Sequence, residues 1–134
     1  MTPQAFIRKH RLTMTAELTD RNPSLSVDDD WARTATHWKC VIRKGRARMT
    51  VHFSQGSAVA REPTLEDILD SLGSEAGGYL NARGFEDWAG EYGYDTDSRS
   101  AERTYRAIGS QVDDLRRLLG EDALQELAFN TERL

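Results

Sequence analysis

This 134-residue chain has one cysteine, three histidines and no long apolar run, and each shortage excludes a class of protein. A single cysteine, Cys40, rules out an internal disulfide and the paired thiolates of a structural zinc site. No stretch approaches the length needed to cross a bilayer, and Met1-Thr-Pro-Gln4 lacks the basic start and apolar core of a signal peptide, so residence in the cytosol is the expectation. A glycine-rich phosphate loop, a nucleophile elbow and a two-histidine helix motif are all missing, and the glycines fall singly or at expected helix ends.

What is present is a polar but foldable composition. Hydrophobic residues make up 38% and charged residues 30%, and three Trp, four Tyr and four Phe provide bulky core pieces. The length suits a single domain spanning 1–134, with a sheet part over about 11–54 and a helical part over about 64–130. The formal net charge of −4 is distributed unevenly. Residues 1–61 hold 11 Lys/Arg against 5 Asp/Glu (+6), and residues 62–134 hold 7 against 17 (−10). Either the halves neutralise each other in the fold, or they offer two distinct surfaces to different partners.

The most informative stretch runs from Thr36 to Ser54 and reads as a β-hairpin. With Lys44-Gly45 as its two-residue loop, Ile42 pairs with Ala47, Cys40 with Met49 and Trp38 with Val51 on an apolar face. The other face then pairs Arg43 with Arg46, Val41 with Arg48, Lys39 with Thr50 and His37 with His52. Cys40 falls on the apolar face, where a buried, inert thiol is expected. Arg43, Lys44, Arg46 and Arg48 form a cationic tip whose like-charge crowding a negatively charged partner would relieve.

Upstream, residues 4–10 predict a short helix anchored by Phe6 and Ile7. Leu12, Met14, Ala16 and Leu18 then alternate with polar residues as in a half-buried strand. A surface loop follows through Asp30, with Trp31 expected to pin its far end. Downstream, Pro63-Thr64 and Asp67 announce a capped helix whose face is Leu65, Ile68, Leu69 and Leu72, with Gly73 and Gly77-Gly78 expected to end or fray it. Phe85, Trp88, Ala89 and Tyr92 trace a second helix with Glu86, Asp87 and Glu91 outside. A third, beginning near Asp97 or Ser98, carries the seam Ala101, Tyr105, Ile108, Val112, Leu115 and Leu119. The seam has too few heptads for a coiled coil and is expected to cover the chain's own sheet, so a monomer is favoured over a dimer. Leu124, Leu127 and Ala128 face inward from a last turn or two. The fold class expected is α+β, an N-terminal three-stranded antiparallel sheet packed on three or four C-terminal helices.

Chemistry is sparse. His37 beside His52, with Glu17 on the same face, is the only cluster that resembles a reaction centre, and a metal would need further ligands. If protonated, the two imidazoles would strengthen the cationic face below pH 6 to 7. Asp95-Thr-Asp97-Ser-Arg99 begins like a calcium loop but has Arg99 and Ser100 where that loop needs an oxygen ligand and a glycine, so an EF-hand is excluded. The reading is a non-enzyme without cofactor or metal. Two surfaces remain for binding: the cationic tip, and an acidic patch of Glu86, Asp87, Glu91 and Asp95 with Tyr92 among them.

The segment Phe85-Glu-Asp-Trp-Ala-Gly-Glu-Tyr-Gly-Tyr-Asp-Thr-Asp-Ser-Arg-Ser-Ala-Glu-Arg-Thr-Tyr105 is similar to a family of small proteins common in tailed bacteriophages and prophages. The likeness extends more loosely to Trp31-Ala-Arg33, His37-Trp38 and Phe53-Ser-Gln-Gly-Ser57. The resemblance implies a phage accessory protein in the host bacterial cytoplasm, of the kind that antagonises host defence, anti-CRISPR proteins included. It would act by occupying a site on a host protein or ribonucleoprotein complex. The alternative is a nucleic-acid-binding accessory protein that uses the basic 39–48 hairpin.

Overall fold

A computed structural model describes residues 1–26, 28–59 and 61–133. Helix α1 (Pro3–His10) opens with Thr2 accepting a hydrogen bond from Ala5 N–H and closes on Arg11, which takes the left-handed conformation at φ 53°. That sharp exit turns the chain into β1 (Leu12–Thr19), followed by a loop, the short helix α2 (Asp30–Thr34), and the hairpin strands β2 (Thr36–Lys44) and β3 (Ala47–Gln55). The three strands form one antiparallel sheet in the order β1-β2-β3. Helices α3 (Leu65–Asn81), α4 (Phe85–Glu91), α5 (Arg99–Leu119) and α6 (Glu121–Phe129) follow, so the α+β architecture agrees with the pattern of the sequence.

The hairpin differs from the expected register by a step of two. Its loop is Gly45-Arg46, so Arg43 faces Arg48, Ile42 faces Met49, Cys40 faces Val51, Lys39 faces His52 and His37 faces Ser54. Gly45 has φ 58° and Arg46 does not share the positive φ, the type II′ pattern with glycine at the first loop position. A step of two preserves the parity of side chains, which is why the apolar and polar faces are those expected although every partner changed.

The apolar face carries Leu12, Trp38, Cys40, Ile42, Met49 and Val51, all buried, and the helical layer covers it. Helix α5 lies against β3 and β2 and also packs on α3 and α6. Its seam residues Ala101, Ile108, Val112, Leu115 and Leu119 are buried there, so the seam serves the internal core. Burial pushes the Cys40 thiol up to about 11, with the Glu62 charge adding to it.

Helix α3 begins at the capping box of Thr64 and Asp67, whose reciprocal bonds measure 3.1 and 2.9 Å. Burial opposes ionisation of Asp67, but the Thr64 bonds and Arg61 outweigh it and hold the carboxyl below its usual range. The expectation that Gly73, Gly77 and Gly78 end this helix is corrected: it continues through all three to Asn81. Gly73 is there because α6 passes too close for a side chain. A Cβ on it would lie 2.9 Å from the Leu127 carbonyl oxygen. At the far side, Lys9 and His10 both bond Glu126 at 2.7 and 3.0 Å, joining α1 to α6 and holding that carboxyl below its usual range.

Trp31, expected to pin the far end of the loop between β1 and β2, is 46% exposed on α2 and borders a surface pocket with Val51, Phe53, Ile68 and Leu72. Val27 within that loop lies outside the described residues. The pins are Asn22 and His37. Asn22 Nδ2 donates to Ser54 Oγ at 2.9 Å and to the His52 carbonyl at 3.3 Å. His37 Nε2 donates to the Ala32 carbonyl at 2.7 Å, and Nδ1 meets the Ser54 hydroxyl at 2.7 Å. Both residues are buried because they satisfy the loop's polar backbone.

Candidate functional site: a cationic sheet end and an aromatic cleft

The four hairpin cations divide between two faces and a loop. Arg43 and Arg48 are partners on the polar face, Lys44 lies on the opposite face beside Ala47, and Arg46 is in the loop. The expected Arg43–Arg46 pair is therefore corrected to Arg43–Arg48, because the turn sits one residue later. Arg43 donates to Thr15 Oγ1 at 3.0 Å. Among the described residues, none of Arg43, Lys44, Arg46 and Arg48 forms an ion pair. Among the described residues, the ion pairs that do join the two oppositely charged halves are Lys9 and His10 with Glu126, and Arg61 with Asp67, none of them made by the four hairpin cations.

A fifth cation escaped the sequence reading. Leu12 pairs with Lys44, so the α1–β1 junction at Arg11 stands beside the hairpin end, and Arg11 is exposed. Its only signal in the sequence is its position immediately before the alternating strand.

His37, His52 and Glu17 do not assemble. Lys39 stands between Glu17 and His52 in the cross-strand row, with its ammonium 3.9 Å from Glu17. Burial, and then the charge of Lys39, lowers the pKa of His52, and its Nδ1 is buried without a hydrogen-bond partner among the described residues. His52 therefore adds no charge to the polar face near neutrality, which corrects the expectation of a second cationic contribution there. Among the described residues no group of three or more His, Cys, Asp or Glu is placed to hold a metal.

The acidic patch is carried by α4 and the turn after it. Glu86 and Glu91 are solvent-facing, Asp87 accepts a bond from Arg83 N–H at 3.0 Å, and Asp95 accepts one from Asp97 N–H at 3.0 Å. Ser98 caps α5, accepting from Ala101 N–H at 3.2 Å. Tyr92 and Tyr94 flank Trp88, which is 3% exposed and anchors the patch to the core. The Tyr94 ring lies flat on Trp88 with centroids 5.1 Å apart and planes at 11°, and the Tyr92 ring sits 5.7 Å from it.

Behind these tyrosines opens a cleft of about 440 Å³, bounded by residues 22–25, His52, α3, Trp88, Tyr92, Tyr94 and α5. Glu75 stands in its wall, with one oxygen accepting from Ser71 and the other from Gln111 Nε2 at 2.9 Å. The Tyr92 hydroxyl lies over Gly78, where a Cβ would come within 2.0 Å of it. That close approach places the ring one turn of helix from Glu75. The cationic end and the cleft are separate sites. They share no lining residue: Arg48 neighbours Asp114 and Arg117, whereas on α5 the cleft runs from Thr104 to Gln111, three residues short of Asp114.

No helix among the described residues is long and apolar enough to cross a membrane. Comparison with protein-family models, characterised proteins and solved structures gives no match.

Proposed function

We propose that this chain is a phage-encoded binding protein, without catalytic activity, that blocks a bacterial defence system by docking on a host nucleoprotein complex. The observation that carries this reading is the absence of an ion pair, among the described residues, at Arg43, Lys44, Arg46 and Arg48. The molecule has 22 Asp and Glu against 18 Lys and Arg, yet among the described residues its hairpin cations are left without an ion-pair partner. The hydrogen-bonded hairpin fixes their backbone before binding, and each contact with a phosphate releases condensed counterions. The acidic patch at the other end of α5 would repel the same phosphates, so the two fields favour one orientation of approach. The resemblance of residues 85–105 to phage accessory proteins supplies the setting.

A second reading, direct nucleic-acid binding, is favoured by the composition of the polar sheet face. Lys39, Arg43 and Arg48 share it with the exposed Thr13, Thr15 and Thr50. Affinity capture from a lysate of the phage host, with and without nuclease, separates the two. The first reading expects a defined set of proteins captured together with the nucleic acid they hold, lost with Arg48→Glu. Nucleic acid alone on the column would favour the second reading, and capture indifferent to hairpin charge would overturn both.

A further inference from the structure

We propose that the cleft behind Tyr92 and Tyr94 receives an arginine side chain of a protein partner. The inference takes from the reading above only that the protein binds a protein-containing complex; its chemistry comes from the cleft alone. Glu75 is the first element. Its carboxylate is half-buried, oriented by Ser71 and Gln111, and among the described residues no Lys, Arg or His pairs with it. Two bonds leave lone-pair directions free on an ionised carboxylate, so it retains both charge and acceptor capacity for an incoming donor.

The aromatic wall is the second element. Tyr92 and Tyr94 are 53% and 40% exposed, unusual for large rings, and both contact Trp88, Tyr94 by stacking flat on it. Ring faces beside a carboxylate match a guanidinium, which stacks on aromatic planes and forms paired bonds to a carboxylate, better than a compact, strongly hydrated ammonium. The field is the third. Among the described residues no Lys or Arg lines the cleft, and Glu86, Asp87, Glu91 and Asp95 lie on the neighbouring α4 and the turn after it. An anionic ligand would be repelled. A purely apolar one would leave Glu75 and Gln111 desolvated without replacement bonds.

The test is an NMR titration of the intact protein with the peptide acetyl-Gly-Arg-Gly-amide and with its citrulline counterpart, which keeps the shape and loses the charge. The arginine peptide should shift the Trp88 indole and Tyr94 ring signals saturably, and citrulline should bind about tenfold or more weakly. Glu75→Gln preserves the size and hydrogen-bonding reach of the side chain and should weaken the arginine peptide by a similar factor, whereas Tyr94→Phe should retain it. Equal affinity for the two peptides, or an unshifted Trp88 indole, would overturn the proposal. Arg48→Glu should leave the titration unchanged, so failure of the hairpin reading and failure of the cleft are read from different variants.

Discussion

Arg43 and Arg48 face each other across the hairpin, and Arg43 turns to the Thr15 hydroxyl at 3.0 Å for want of a carboxylate. Directly opposed like charges on a sheet are destabilising. Arg48→Glu converts the pair into a cross-strand ion pair and should raise stability by about 0.2–1 kcal/mol in urea denaturation. The same substitution should abolish capture of the host complex. Stability and binding move in opposite directions, so loss of binding cannot be traced to unfolding.

If nucleic acid is contacted directly, affinity should fall steeply with salt. Arg48→Ala should then reduce the slope of log K against log salt by about 0.9, one phosphate contact. A slope that does not change would remove Arg48 from the phosphate interface.

Gly73 and Gly78 lie on the same helix and should respond oppositely to alanine. At Gly73 the obstacle is the Leu127 carbonyl, part of the α6 backbone, so Gly73→Ala should cost about 1–3 kcal/mol. At Gly78 the obstacle is the hydroxyl of the exposed Tyr92, which can swing away. Gly78→Ala should be neutral or stabilising by up to about 1 kcal/mol, the helix-propensity gain, while weakening the arginine peptide through the displaced ring. Denaturant midpoints and the peptide titration check the pair.

His52 makes stability depend on pH. Its folded pKa lies below the ordinary 6.5, because burial, and then Lys39, disfavour the charged ring. Below pH 6.5 the unfolded chain therefore binds more protons than the folded one, and stability falls as pH decreases until the folded pKa is passed. Glu126, held low by Lys9 and His10, adds a loss at more acid pH. His52→Asn should flatten the stability profile just below pH 6.5 and leave the lower limb in place, as read from urea midpoints across pH 7 to 4.

The legible parts of this molecule are those written in local pattern. The alternation from Leu12 to Leu18, the Thr64–Asp67 box and the α5 seam each state an element that the structure has, although on β1 only Leu12 is buried, Met14 and Ala16 are half-buried and Leu18 is 66% exposed. The hairpin was legible to within one residue, since Gly45 satisfies either loop position and parity protects the faces. Gly73 and Gly78 were opaque because their role depends on Leu127 and Tyr92, which neither helix propensity nor local spacing brings near. The cleft was invisible for the same reason: His52, Glu75, Tyr94 and Gln111 belong to four separate segments that meet only in the folded chain. Arg11 joins the cationic end through strand register, a relation fixed only once β1 is paired to β2.

The central claim is that the unneutralised hairpin cations dock the protein on a host defence complex. Plaquing efficiency of a phage on a strain whose nucleoprotein defence targets it, with the wild-type chain or Arg48→Glu supplied from a plasmid at equal level, tests it most directly. The account predicts that the wild-type chain restores plaques and the more stable variant does not. Equal restoration by both, or by neither, would contradict it.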